Sequence, residues 1–270
     1  MVFKNRIKDY MLKAVREAKT NTSWINPNTI YEEALTVFIE SILHNPSANK
    51  FLKDFLPFQK IISGYGMFNS LSQTLLKNTC PGVPDFYQGS ELWDYRLVDP
   101  DNRGPVDYEL RKHVCEELRK RESETPLKDL ARWLTINKDN GMIKLYLICK
   151  ILNYRRTKRK LFDRGEYISL EVMGEKADNV CVFARRTGNA CCLVIAPRFF
   201  TSLVQPDDLP VGEGTWKDMY VVVAFDEKDR RYRNIFTGEI ITTKEYKGAT
   251  VMYLSEVFLN FPVAFLERID

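Results

Sequence analysis

Histidine is scarce in this 270-residue sequence, which contains only His44 and His113. The six cysteines show no C-x-x-C spacing, and most of them lie among apolar residues. Metal sites are built mainly from histidine and from closely spaced cysteines, so no metal site is expected. The cysteines are instead predicted to be buried free thiols in a reducing compartment.

Long apolar runs are missing as well. No stretch of 18 apolar residues occurs, and the charged, amphipathic residues 1–10 do not resemble a secretory signal. The net charge of +4 comes from lysines and arginines spread along the chain, and no nucleic-acid-binding module is recognisable. The sequence therefore predicts a cytoplasmic protein with neither a membrane nor a nucleic acid as its partner.

Residue patterns divide the chain into a helical part and a strand-rich part. Apolar residues make up 44% of the sequence and charged residues 28%, as in folded globular proteins. From about residue 166 the apolar period changes from helical spacing to alternation, with turns of Gly, Asp and Pro. We predict an α+β multidomain protein, with residues 1–160 helical and residues 161–270 forming an antiparallel β-sandwich. Helices are predicted over residues 2–20, 29–44, 48–55, 58–77, 107–122, 125–135 and 141–159.

Residues 80–109 combine seven carboxylates with aromatic side chains, glycines and prolines. A short, mostly apolar run at residues 83–87 opens into this polar stretch, which is typical of a buried strand that delivers side chains to a cleft. Carboxylates and amides hydrogen-bond sugar hydroxyls, and aromatic faces cover the apolar side of a sugar ring. The alternative interpretation is a surface loop with turn residues and solvated acids.

Three sequence blocks carry a family resemblance. They are KAVREAKTNTSWINPN at residues 13–28, PGVPDFYQGSELWDYRLVDPDNRGPVD at 81–107, and a tail that ends in NFPVAFLE at 260–267. In this order they resemble the C-terminal part of the maltooligosyltrehalose synthases, which belong to the α-amylase clan (glycoside hydrolase family 13). One position departs from the pattern, because Gly104 stands where the family usually has a second arginine.

The resemblance implies a fold and a reaction. Residues 1–160 would be the helix-rich last sector of a (β/α)8 barrel, with residues 83–87 as its last strand. This barrel is incomplete here, since a whole one takes about 250 residues. The family enzymes isomerise the reducing-end α-1,4 bond of a maltooligosaccharide to an α,α-1,1 bond by intramolecular transglucosylation, in trehalose biosynthesis and without a cofactor.

The resemblance also implies that no catalytic residue lies in this chain. The catalytic carboxylates of the family belong to earlier barrel strands, and no matching block is found in the sequence. We therefore expect the chain to be inactive alone and to act with the N-terminal part of the same enzyme. The alternative function is a non-enzymatic carbohydrate-binding or assembly module that partners an N-terminal catalytic half.

Candidate substrate-binding residues follow from the same resemblance. Asp85, Tyr87, Gln88 and Glu91 would line or support the sugar pocket at the mouth of the barrel, where active-site groups gather. The alternative is that Asp85 caps a turn and Glu91 makes a structural ion pair.

A second group consists of Asp99, Asp101, Asn102 and Arg103. Arg103 could hydrogen-bond a carboxylate or sugar hydroxyls with its forked guanidinium, or it could form an ion pair within its own loop. The spacing of these acids fails as a calcium loop, because the bidentate glutamate is absent. Trp24 could stack on a glucose ring or could anchor the packing of two helices.

Overall fold

A computed structural model describes residues 2–44, 47 and 49–269 of the chain. The polypeptide forms two compact units. The first, called unit 1 here, comprises Met1–Ile62 and Asp94–Val106, and the second, unit 2, comprises Ser63–Trp93 and Asp107–Asp270.

Unit 1 is built from helices. These are α1 (Val2–Ala18), α2 (Thr29–Ile42) and the first part of α3 (Lys50–Thr79), together with a short 3-10 turn at Asp101–Arg103. The side chain of Asn28 accepts a hydrogen bond from the backbone N–H of Tyr31 at 3.1 Å, which explains why α2 begins where the sequence predicts. The two helices predicted over 48–55 and 58–77 are wrong as separate elements, because α3 continues through Pro57. Ala48 lies outside the described residues.

Unit 2 contains the remaining helices. Its long ones agree with the predicted positions to within a few residues, and Asp107 caps the first of them by accepting from the N–H of Leu110 at 2.8 Å. They are α4 (Tyr108–Glu124), α5 (Leu127–Ile136), α6 (Met142–Thr157) and α7 (Arg159–Arg164), followed by the single-turn helices α8 (Phe200–Leu203), α9 (Glu213–Trp216) and α10 (Leu254–Val257).

The strands of unit 2 form two antiparallel sheets, as the alternating pattern predicts. They are β1 (Glu166–Ser169), β2 (Glu171–Met173), β3 (Val180–Thr187), β4 (Ala190–Pro197), β5 (Tyr220–Val222), β6 (Arg231–Asn234), β7 (Ile240–Thr242), β8 (Lys244–Tyr246), β9 (Ala249–Tyr253) and β10 (Ala264–Arg268). One sheet has the order β1-β3-β4-β10-β6-β7 and the other β2-β5-β9-β8. Strands β3 and β4 form a hairpin in which Thr187 pairs with Ala190.

One continuous apolar core joins the helices and the strands of unit 2. Phe183 on β3 and Phe265 on β10 are fully buried, and so are Ile143 and Leu147 on α6. The phenol of Tyr146 on the same helix donates to the carbonyl of Phe236 at 2.6 Å. Secondary structure changes from helix to strand between residues 164 and 166, close to the predicted boundary. The domain division at residue 160 itself stays a prediction.

The strand predicted over residues 83–87 is not formed. These residues have no strand pairing, and Val83 is 94% exposed instead of buried. A parallel barrel strand is stable only between neighbouring strands that take its hydrogen bonds, and both sheets described here are antiparallel and made from residues after 165. The apolar pattern of 83–87 therefore predicted a strand for which the described part of the chain provides no neighbouring strand.

Across the described ranges, no helix is both long enough and apolar enough to traverse a lipid bilayer.

Candidate functional site

The first group of predicted site residues lies in unit 2, in the segment that connects α3 to α4. Gly82 and Gly89 both have positive φ angles, of 118° and 93°, a conformation that favours glycine over residues with a side chain. Between these two turns, Asp85, Tyr87 and Gln88 are exposed. The phenol of Tyr108 on α4 donates a hydrogen bond to the side-chain oxygen of Gln88 at 3.3 Å. A carboxylate, a phenol and an amide are thus exposed within four residues of the chain.

Glu91 closes this segment through an ion pair. The Nε of Arg111 on α4 lies 3.0 Å from the Glu91 carboxylate, and the same guanidinium donates to the carbonyls of Gly89 and Asp107. The structural ion pair weighed in the sequence analysis is therefore formed. A sugar contact by Glu91 stays a prediction.

The second group lies in unit 1, where Asp101 is the organising carboxylate. The guanidinium of Arg6 on α1 binds it with two parallel hydrogen bonds of 2.7 and 2.8 Å, and the N–H of Leu97 donates to it at 2.5 Å. These contacts, the Arg6 hydrogen bonds above all, lower the pKa of Asp101 to about 2. Asp101 is therefore ionised at neutral pH and fully engaged in holding its own loop.

Asp99, Asn102 and Arg103 complete this loop. Arg103, largely exposed, forms an ion pair with Asp99, and Lys13 on α1 lies 3.5 Å from the same carboxylate and donates to the Asp99 carbonyl. The carbonyl of Asn102 accepts from Arg96 at 3.3 Å. The loop-internal pair of Asp99 and Arg103 is thus present, while a role of Arg103 toward sugar or a carboxylate stays a prediction.

Trp24 is 57% exposed, so its ring is not a buried packing anchor. The guanidinium of Arg16 lies over it, 4.8 Å from the ring centroid. Arg16 is itself bound to Glu32, and this contact, together with a hydrogen bond from Thr22, lowers the pKa of Glu32 to about 2. One face of an exposed indole is therefore covered by a fixed cation.

The predicted site residues are divided between the two units. Asp85, Tyr87, Gln88 and Glu91 belong to unit 2, whereas Trp24 and the four residues from Asp99 to Arg103 belong to unit 1. Each group is ordered by contacts within its own unit.

Groups of three or more His, Cys, Asp or Glu side chains suited to a metal ion are not found in residues 2–44, 47 and 49–269. All six cysteines are free thiols, with Cys191 and Cys192 buried and the other four half-buried.

Comparisons with known proteins point to one family of enzymes. A Mycobacterium tuberculosis protein assigned as a maltooligosyl trehalose synthase is 33% identical over 219 residues, which is 80% of this chain and 25% of that protein. The solved maltooligosyltrehalose synthase of Arthrobacter ramosus covers 98% of this chain with a TM-score of 0.74 and 28% identity. Another solved maltooligosyl trehalose synthase covers 99% with a TM-score of 0.68 and 31% identity. No protein-family model matches the chain.

This chain is homologous to part of the maltooligosyltrehalose synthases. It spans about a quarter of the curated relatives that it matches and 30% of each of the two solved enzymes. The resemblance predicted from the sequence, to a C-terminal part of this family, is confirmed.

Several side chains that order the candidate residues were missed by sequence reasoning. Arg6 and Asp101 are 95 positions apart, and no local pattern links a helix residue to a loop at that separation. Arg111 could have been noticed, because it follows the helix cap Asp107 by one turn and donates back to its carbonyl. In this chain, arginines hold the loops that carry the candidate residues.

Proposed function

We propose that this chain is the C-terminal portion of a maltooligosyltrehalose synthase. In this proposal the complete enzyme converts the reducing-end α-1,4 bond of a maltooligosaccharide to an α,α-1,1 bond. The observation that carries the proposal is similarity along almost the whole chain, 98% of it, to a solved enzyme of that name. The helical region would be the last sector of a (β/α)8 barrel, and the two sheets would be the β-sandwich that follows it.

Few apolar side chains are buried in unit 1, which supports the proposal that another part of the enzyme covers this unit. Of its described residues, only Ile39 and Leu52 are buried apolar side chains. A helical unit of this size needs a larger apolar core to be stable, since each buried large side chain contributes about 1.5–3 kcal/mol. Many large apolar side chains are exposed instead: Val2, Phe3, Ile25, Ile30, Val37, Phe38, Phe51, Phe55, Leu56, Phe58, Ile61 and Ile62.

The proposed occupant of this apolar surface is the remaining part of the enzyme. The chain accounts for 30% of a solved relative, so 70% of such an enzyme lies outside it. Residues 83–87, which form no strand in the described chain, fit the same interpretation, because neighbouring barrel strands would supply the ladder hydrogen bonds of a strand. Large exposed apolar patches of this kind mark interaction surfaces in soluble proteins.

The proposed chemistry needs two carboxylates that this chain is not expected to supply. Retaining transglucosylation uses one carboxylate as nucleophile and another as acid and base, with their carboxyl groups about 5–5.5 Å apart. Three of the four candidate acids are engaged elsewhere: Asp101 is bound to Arg6, Asp99 to Arg103, and Glu91 to Arg111. These pairs suit a wall of a sugar pocket better than a proton donor. We therefore propose a substrate-binding role for this chain.

The released glucose must turn within the pocket before its anomeric hydroxyl attacks the glycosyl-enzyme. Water that enters during this step would give hydrolysis instead, so the pocket must stay closed. We propose that Asp85, Tyr87 and Gln88 of unit 2 provide part of this closure. A sugar contact by Trp24 or by the loop of Asp99–Arg103, which belong to unit 1, stays a separate prediction. The cytoplasmic location stays a prediction.

A chimera tests this proposal. The chain would replace the matched part of the Arthrobacter ramosus enzyme, and the chimera and the isolated chain would be incubated with maltopentaose. We expect a non-reducing product from the chimera and none from the isolated chain. Product formed by the isolated chain would contradict the absence of catalytic groups.

The alternative function, a carbohydrate-binding or assembly module without an enzymatic role, predicts a different result. In that case the chain binds maltooligosaccharide or the upstream part of the relative, and the chimera stays inactive although it is folded. Calorimetric titration of the isolated chain with maltopentaose, beside the turnover assay, separates the two functions.

A further inference from the structure

The segment that carries Asp85, Tyr87 and Gln88 begins at the end of α3. The last four carbonyls of a helix have no partners within the helix and need donors from elsewhere. Arg155 near the end of α6 supplies one such donor, since its Nη1 donates to the carbonyl of Asn78 at 2.8 Å, and its Nη2 donates to the carbonyl of Gly82, beyond the helix end, at 3.0 Å. One guanidinium thus joins the helix end to the first turn of the segment.

A second arginine acts at the same helix end. Arg185 on β3 is 2% exposed, and its Nη1 donates to the carbonyl of Thr79 at 3.1 Å. Its Nη2 donates to the carbonyls of Phe162 and Gly165, both at 2.9 Å. Burial and the nearby Arg185 cation lower the pKa of Arg155. Two cations are stabilised here by backbone carbonyls and by the negative end of a 30-residue helix.

The other end of the segment is held by Arg111, which binds the Glu91 carboxylate and the carbonyls of Gly89 and Asp107. Between the two anchored ends, residues 83–87 have no strand pairing. The two anchored ends, together with the hydrogen bond from Tyr108 to Gln88, therefore determine where the exposed side chains are placed.

We propose that Arg155 and Arg111 are positioning residues for the sugar-facing segment at residues 82–91. They contact backbone and a carboxylate of this chain and fix where Asp85, Tyr87 and Gln88 stand. The identity of the sugar rests on the proposed function, whereas the anchoring of the segment by the two arginines does not. Arg155 belongs to the basic run RRTKRK at residues 155–160, whose pattern alone indicates only a solvated helix end.

The first test needs no enzymatic activity. The full chain with Arg155→Ala is digested briefly with chymotrypsin, which cleaves after aromatic residues. The rate of cleavage after Phe86 and Tyr87 is compared with the rate at the same two bonds in Arg156→Ala. Arg156 is the matched control, because it is exposed on the same helix end and donates, at 3.1 Å, to Asn153, one turn away on its own helix. We expect cleavage about tenfold faster in Arg155→Ala, as the loss of charge-assisted hydrogen bonds allows. Equal rates in the two variants would overturn the proposal.

Arg111→Ala, compared with Lys112→Ala, gives the same test from the other end and does not depend on whether Arg155→Ala folds. The Lys112 side chain is exposed on α4. Faster cleavage in Arg111→Ala alone is the expected result, and unchanged cleavage in both variants counts against the anchoring.

The second test measures function in the chimera. A displaced segment admits water, so Arg155→Ala should raise the ratio of released glucose to non-reducing product and lower kcat/KM about tenfold or more. In Arg155→Lys this ratio should lie between those of the parent and of Arg155→Ala, since one ammonium can still bind one carbonyl. A structural fault would lower both products equally and leave their ratio unchanged, which would overturn the positioning role. If the unmodified chimera makes no product, the proposed function fails, while the proteolysis result still decides the anchoring.

Discussion

Asp101 fixes the shape of a loop through contacts that come from far along the chain. Arg6, which binds it with two hydrogen bonds, is 95 positions away on α1. Forked guanidinium–carboxylate pairs are stronger and more directional than single ion pairs. At the scale of a residue, the conformation of this loop in unit 1 therefore depends on the first helix.

The lowered pKa of Asp101 predicts a pH dependence. An aspartate in the unfolded chain has a pKa of about 3.9, and in the folded protein the hydrogen bonds from Arg6 lower the pKa of Asp101 to about 2. A depressed folded pKa contributes stability that is present above pH ~4 and is lost as the pH falls from about 4 to about 2. Asp101→Asn should therefore be less stable than the parent at pH 7, and the difference should shrink toward zero at pH 2.

Urea unfolding at several pH values measures this difference. Asp54→Asn, which removes an exposed charge on α3, serves as the control and should show a smaller difference at pH 7. A gap between Asp101→Asn and the parent that is the same at pH 7 and pH 2 would contradict the assignment.

The candidate residues could be named from the sequence, but most of their contacts could not. Glu91 and Arg111 are 20 positions apart, and Arg155 is 73 positions from Gly82. Composition indicates that a segment rich in acids, amides and aromatics can meet a sugar. Which acids are already neutralised by an arginine depends on tertiary placement, which no local pattern encodes.

At the scale of an element, α3 presents an apolar stripe to solvent. Phe51, Phe55, Phe58 and Ile62 follow each other at spacings of four, three and four residues, so they share one face of the helix. All four are exposed, and the rings of Phe51 and Phe55 stack with centroids 5.3 Å apart. An amphipathic helix in a folded protein normally buries such a stripe.

Phe58→Gln should weaken binding to the upstream part of the relative about tenfold or more, because burying a large apolar side chain contributes about 1.5–3 kcal/mol. Sedimentation or calorimetric titration with that part measures the effect. Phe199→Gln is the matched control, since Phe199 in unit 2 is 58% exposed and Phe58 is 59% exposed. Equal losses of affinity for both variants would argue against α3 as the contact surface.

Helices were predicted better than the one strand assigned to the barrel. Asn28 and Asp107 mark helix starts by local hydrogen bonds, which a sequence pattern contains in full. A strand at residues 83–87 depends on neighbours, so its apolar pattern could predict the tendency and not the outcome. The helix break predicted near Pro57 is absent, because the residues of α3 on both sides of the proline continue the helix.

At the scale of the whole molecule, the shared core of unit 2 predicts how the chain can be shortened. Residues 161–270 contain the ten strands of the described chain but lack α6, whose Ile143, Leu147 and Ile151 are fully buried in the same core. Removing three such side chains costs about 2–5 kcal/mol each, which approaches the total stability of a domain.

We therefore expect residues 161–270 alone to lack a cooperative thermal transition, whereas residues 63–270 retain one. Circular dichroism on heating checks both. Cooperative unfolding of residues 161–270 would instead support the boundary predicted at residue 160.

Arg155 and Arg185 donate hydrogen bonds to backbone carbonyl oxygens, a group that every amino acid has. These hydrogen bonds therefore depend on the backbone at positions 78, 79 and 82, and at position 82 on a positive φ, and not on the identity of the side chains. Methods that search for paired substitutions would find no signal between these arginines and the residues that they hold. A contact between an arginine and the backbone leaves no trace in paired substitutions, so it is found only from coordinates or by mutation of the arginine.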